Sequence, residues 1–167
     1  ATPAEEIQPF VPPASATGLK GLAYGFGGWR CLPDEAVIVE MTPPACRMWG
    51  LSLCDPFWQS IDFSTHQSSL NDQQAHLDPT GRFVGVITHD DPGVANWIDP
   101  AGNTEGTLAV RYLFADDLPP ARPTTVARPE LDAVLGGLDA PPRRITANER
   151  REVLRARRAA VVSRYRR

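Results

Sequence analysis

A tryptophan held between two proline turns separates two strand-like runs, and this arrangement steers the chain toward short antiparallel strands. Asp91-Pro92-Gly93 suits a type II turn, with Gly where φ must be positive. Asp99-Pro100-Ala101-Gly102 suits a type I turn closed by Gly. Trp97 lies between them, where an indole can anchor a loop against a core. Arg82 to Thr88 leads in as a strand. Thr107 to Phe114 leads out, with Leu108, Val110, Tyr112 and Phe114 on one face and Thr107, Ala109 and Arg111 on the other.

The same grammar recurs upstream. Ala36 to Met41 is a strand by its β-branched content. Arg47 to Leu53 alternates, placing Trp49, Leu51 and Leu53 on a buried face. Between Asp55 and Leu77 runs a long polar connection, of a kind uncommon unless functional or carrying short elements of its own. Thr146, with Glu149 three residues on, has capping-box spacing and predicts a helix to about Arg164. Leu154, Val161 and Tyr165 form its short docking stripe, with Val153, Ala156 and Ala160 beside it and the arginines left in solvent. Pro129 to Leu135 predicts a short helix stopped by Gly136-Gly137. Strands followed by helices predict a mainly β fold, an antiparallel β-sandwich with a helical C-terminal extension. The expected layout is an extended arm over 1–18, the sandwich over 19–116, a Pro-rich linker with a short helix over 117–142, and a basic helix over 143–167.

Composition excludes several classes. The chain is 42% hydrophobic, enough for a core and unlike a disordered segment. It has no apolar run of about eighteen residues, so no membrane helix and no membrane partner are expected. Ala1-Thr2-Pro3 carries no initiator Met, as in a processed form or part of a longer protein. Cys31, Cys46 and Cys54 are odd in number and lack C-x-x-C spacing, which argues for free thiols, no zinc site and a reducing, cytoplasmic setting. Residues 143–167 hold ten Arg and two Glu, a surplus of eight positive charges, so a net charge of −3 leaves −11 on the other 142 residues. A tail helix neutralising its own acidic body is the simpler reading. Nucleic acid is disfavoured, because no aromatic platform is interleaved with the arginines.

Four segments carry a family resemblance: Trp49-Gly50-Leu51-Ser52-Leu53, Ser68-Ser69-Leu70-Asn71, Asp78-Pro79-Thr80-Gly81-Arg82-Phe83 and Asp91-Pro92-Gly93-Val94-Ala95-Asn96-Trp97-Ile98-Asp99. Over roughly residues 22 to 115 the chain resembles a short form of the family named domain of unknown function 1214. The last run, followed by Gly106-Thr107 and Arg111-Tyr112, is its most specific part. The resemblance implies a β-sandwich, often the C-terminal part of a longer chain. It implies no catalytic residues.

Chemistry is sparsely signalled. His66, His76 and His89 have neither the i, i+4 spacing of a helical metal pair nor the alternate spacing of a strand pair, so no metal and no cofactor are expected. Gly21 to Trp29 is Gly-rich but lacks the phosphate-loop pattern. No G-x-S-x-G elbow is present. Cys46 and Cys54 suit burial as small hydrophobes better than nucleophilic duty. Asp90, Asp91 and Asp99 adjoin turns, where Asp serves backbone bonding. Arg111 could grip an anion or pair with Glu40.

The 55–77 connection has no Lys or Glu but is dense in amides and imidazoles, which suit neutral polar groups on a ligand. The favoured expectation is therefore a binding or accessory protein. It takes a small apolar or amphipathic ligand between this connection and the 89–106 loop. His66, Gln67, Asn71, His89, Asn96 and Arg111 supply polar groups above a floor of Trp58 and Trp97. The alternatives are an enzyme using His89 and Asp90 as acid–base groups, and a structural subunit docking its basic tail on a partner subunit or on the N-terminal region of a longer chain.

Overall fold

Turn chemistry and period-two alternation produce eight strands in two facing sheets. The computed structural model describes residues 6–9 and 21–165, the last by its backbone alone. The strands are β1 (Leu22–Arg30), β2 (Glu35–Met41), β3 (Met48–Cys54), β4 (Ser69–Asn71), β5 (Phe83–Ile87), β6 (Trp97–Ile98), β7 (Glu105–Leu113) and β8 (Arg122–Ala127). A 3₁₀ turn over Arg128–Glu130 leads into α1 (Leu131–Gly136), and α2 spans Ala147–Tyr165. The first sheet has the order β1-β7-β3-β4 and the second β6-β5-β2-β8. All pairs are antiparallel except the two-residue pairing of β6 with β5, which is parallel. The chain is thus a mainly β sandwich with a C-terminal helix.

The inner faces meet as their alternation requires. Trp49, Leu51 and Leu53 of β3 and Leu108, Val110 and Tyr112 of β7 are buried against Val37, Val39 and Met41 of β2. The other face of the second sheet is covered too. Ala36, Ile38, Val84, Val86 and Trp97 pack against Leu131 and Leu135 of α1. A strand buried on both faces reads as an unbroken apolar run, which is why Ala36 to Met41 scarcely alternates.

Several expectations need correction. The segment over 117–142 is no linker: β8 lies inside it and pairs with β2. Its Pro123 is tolerated because β8 is an edge strand, where a missing N–H breaks no internal ladder. The Gly-rich stretch Gly21 to Trp29 is mostly β1. A Cβ on Gly25 or Gly27 would come within 2.9 or 2.6 Å of the Ile7 side chain, so these glycines make room for a neighbour rather than a phosphate. Ile7 is fully buried and exchanges backbone hydrogen bonds with Ala121. The rest of the expected 1–18 arm lies outside the described residues, apart from Glu6, Gln8 and Pro9. Phe114 does not continue the inward face of β7. It has φ +51°, is 55% exposed and lies over Gly21. The 99–102 turn is not type I. Ala101 and Gly102 both have positive φ (+49° and +84°), and Asn103 N–H donates to Pro100 C=O, the pattern of a type I′ turn over 100–103. Gly93 has the expected positive φ, +69°, and its N–H donates to Asp91 Oδ1.

The capping box forms as read. Thr146 Oγ1 accepts from Glu149 N–H at 3.2 Å, and Thr146 N–H donates to Glu149 Oε2 at 2.7 Å. The helix docks differently from the apolar stripe expected. Its inward positions are Arg150, Leu154, Arg157 and Val161, and only the two arginines are fully buried. The Tyr165 side chain lies outside the described residues. Arg150 forks onto Asp91 (2.9 and 3.3 Å) and donates to Val94 C=O. Arg157 donates to Ser69 C=O and Oγ and to Phe63 C=O.

Candidate functional site

The eight residues singled out from the sequence do not converge. Gln67 is buried, and its Nε2 donates to Ala95 C=O (3.1 Å) and Trp97 C=O (2.5 Å), while its backbone C=O accepts from Asp99 N–H. Asn96 spends its whole amide on backbone. Oδ1 accepts from His76 N–H, and Nδ2 donates to His76 C=O and Val84 C=O. These two side chains stitch the 55–77 connection to the 89–106 loop, and Asn96 has little left for a ligand. Asn71 Oδ1 caps its own turn by accepting from Gln73 N–H. Trp97 is not an open floor. Its Nε1 donates to Thr88 C=O at 2.8 Å and the Arg150 guanidinium covers its ring at 5.0 Å.

Trp58 and Arg111 fall elsewhere. Tyr24 and Arg111 are register partners on β1 and β7, and the guanidinium sits 5.4 Å from the Tyr24 ring centre. Trp58, 61% exposed, meets the Phe26 ring at 4.5 Å. Arg111 makes no pair with Glu40, which belongs to the other sheet and binds Arg82 at 3.1 Å.

The acid–base expectation is also redrawn. His89 Nε2 lies 2.9 Å from Cys31 C=O, so that nitrogen carries a proton and donates. The carboxylate–imidazole pair in this region is instead His66 Nδ1 with Asp99 Oδ2, at 2.7 Å. His66 lines a cleft of about 340 Å³ with Asp55, Ser60 and Asp62. The hydroxyls of Ser64 and Thr65 both go to Asp62, whose carboxyl they hold far below the usual range, and Ser68 donates to backbone carbonyls. Among the described residues, no group of three His, Cys, Asp or Glu is placed to hold a metal.

The thiol pKa values are all raised. Burial pushes Cys31 up to about 12, and burial first, then nearby carboxylates, raises Cys46 and Cys54. A nucleophilic Cys needs the opposite shift. All three are free thiols. Titration of the unfolded, unreduced protein should therefore count three thiols. A count of one would mean a disulfide.

A large cavity lies beside α2, and the 89–106 loop reaches it only through Ala95. A cleft of about 700 Å³ opens between the helix and the end of the 55–77 connection. Ala95, Ile145 and Gln67 form its base, and Val153, Ala156 and Ala160 its helical wall. Gln73, Gln74 and His76 face that wall, with Arg143 and Glu149 at one end. Of the eight sequence candidates, Gln67 alone lies on it. The missed wall had a faint signal, since Val153, Ala156 and Ala160 stand at i, i+3 and i+7 on one helical face. The Arg143 guanidinium lies against the His76 ring, 3.4 and 3.3 Å from its two nitrogens. Burial and then the Arg143 charge hold the His76 pKa below the ordinary value.

No family model matches the chain, and no curated protein matches it. Among solved structures, it is similar to an uncharacterised protein from Burkholderia cenocepacia, with a TM-score of 0.66, 24% identity and 73% of this chain covered. It is also similar to a Vibrio parahaemolyticus protein, with a TM-score of 0.46, 11% identity and 59% of this chain covered. The chain spans about a third of each, 35% and 30% respectively. The first likeness is one of fold. None of the described helices is long and apolar enough to cross a membrane.

Proposed function

We propose that this protein is a binding module and that it holds a small apolar or amphipathic molecule in the cleft between α2 and residues 72–76. One observation carries the reading. The cleft, at about 700 Å³, falls within the range of small-molecule sites, roughly 300–1,000 Å³, and combines an apolar wall with a few polar groups at its edge. Those wall residues are surplus to the sandwich core. Val153, Ala156 and Ala160 remain exposed on a docked helix, while the buried positions of that helix are arginines. The reading also moves the ligand. The 55–77 connection still contributes, through Gln73, Gln74 and His76, but its partner is the helix. We retain the resemblance to the domain of unknown function 1214 family as part of the proposal, resting on the Asp91 to Asp99 run.

A neutral solvatochromic dye, Nile red, tests this. Wild-type protein should bind it with a blue-shifted emission, and Ala156→Trp, which fills the cleft, should weaken binding by about tenfold or more, equivalent to about 1.4 kcal/mol. Arg151→Trp puts the same indole on the solvent side of α2 and should change little. Equal affinity in all three proteins would remove the cleft as the site.

A further inference from the structure

The four charged side chains that line the cleft, Arg143, Glu149, Glu152 and Arg157, sum to zero, but their pairing leaves one buried cation without a counter-ion in contact. Arg143 pairs with Glu149 at 3.2 Å, so these rim charges offset each other. Glu152 pairs with Arg155 at 2.8 Å, with both side chains well exposed. Arg157 also lines the cleft and is only 8% exposed. Among the described residues it has no carboxylate partner. Its contacts are the carbonyls of Phe63 and Ser69, the Ser69 hydroxyl and the Gln74 amide oxygen, all neutral, and its Nε is buried without a partner. Desolvation lowers its pKa, as expected of a cation removed from water without a counter-ion. Arginine keeps its charge in proteins, so this site carries one buried positive charge that no described carboxylate contacts.

We propose that the ligand of this cleft is an amphipathic carboxylate, its head group against Arg157 and its hydrocarbon chain along Val153, Ala156 and Ala160. This rests on the cleft reading above and adds the class of molecule. A monoanion pairs with the one buried cation that lacks a carboxylate in contact, and an aliphatic chain suits a wall of alanines and valine. The position for the head group is argued from Gln74. Its Oε1 lies 3.5 Å from Arg157 Nη2, at the limit of a hydrogen bond, and Gln74 is itself part of the cleft wall. A carboxylate oxygen would displace this weak contact and replace a neutral acceptor by a charged one, the stronger kind of hydrogen bond. The stronger Arg157 contacts, to Ser69 and Phe63, stay in place and fix the guanidinium. Neither rim carboxylate repels the head group strongly, because each already has its own arginine.

Displacement of Nile red from the whole chain separates the two readings. Dodecanoate, dodecanol and dodecylammonium share a tail and differ in head charge. Dodecanoate should compete about tenfold to a hundredfold better than dodecanol, as one charge-assisted hydrogen bond allows, and dodecylammonium should be the weakest. If none competes, the cleft reading itself fails. If dodecanol matches dodecanoate, the cleft reading stands and the carboxylate inference is overturned. Arg157 also docks α2, so its variants are read by the dodecanoate-to-dodecanol ratio, in which general damage cancels. Arg157→Lys should retain a preference for the acid, and Arg157→Gln should bring the ratio near one. A full preference in Arg157→Gln would assign the selectivity to another group and overturn the proposal.

Discussion

Replacing Trp97 by Ala should lower the free energy of unfolding by about 3–5 kcal/mol, the usual loss when a large buried aromatic is truncated. The indole is 7% exposed and packs with Val94, Val84, Val86, Leu131 and Leu135, so no neighbour is free to fill the space. Two further losses add to the cavity. The Thr88 carbonyl loses its indole donor, and Arg150 loses the ring beneath its guanidinium. Trp97→Phe would retain most of the packing but not the hydrogen bond, and should fall between, at about 1–3 kcal/mol. Urea unfolding followed by circular dichroism measures both. An Ala variant within about 1 kcal/mol of wild type would show that the loop holds its shape without the anchor.

Arg150→Ala should be the next most damaging change described here, at about 2–4 kcal/mol. Removing one partner of a buried ion pair costs about 3–5 kcal/mol, because it strands the other. The lower range is expected here because the Asp91 side chain is 31% exposed and water can rehydrate it. The Val94 carbonyl, buried under α2, loses its shorter donor and keeps only the Trp97 N–H at 3.3 Å. Because Arg150 also lies over Trp97, the two substitutions should not add. The double variant should lose less than the sum of the two single losses, by about 0.5–3 kcal/mol, the range for residues in contact. Strict additivity in a double-mutant cycle would mean that helix and loop are held independently.

Much of the architecture could be read from residues whose local and tertiary roles agree. The alternation in Arg47 to Leu53 and Thr107 to Leu113 survives because one face of each strand meets the core. The Thr146–Glu149 box survives because capping is a local interaction, and Gly93 because its φ is. Misreadings arose where a partner distant in sequence decided the outcome. Gly25 and Gly27 weaken a strand signal, yet β1 forms because β7 pairs with it and Ile7 fills the space the missing side chains leave. The prolines of 117–142 suggested a linker, yet the edge of the second sheet accepts them. On α2, arginines read as the wet face, but carbonyls and Asp91 on the body draw two of them inward. The polar candidates were misplaced for a related reason. Gln67 and Asn96 look like ligand groups in a sequence, and only the fold shows that backbone amides and carbonyls engage them. The cleft was legible only in fragments, Gln67 and the apolar positions of the helix, because its walls come from residues some 80 positions apart that meet only when the helix docks, as in the Arg157 to Ser69 contact.

The antiparallel bridge between Ile7 and Ala121 sets an order of events during synthesis. Its flanking ion pair, Glu6 with Arg122, joins residues 116 apart. At ~5–20 residues per second on the ribosome, the segment around Ile7 waits on the order of ten seconds before its partner exists. The glycine-lined seat on β1 waits too, because β1 has no sheet neighbour until β7 has been made. Throughout that interval the Ile7 side chain lacks the seat that later buries it completely.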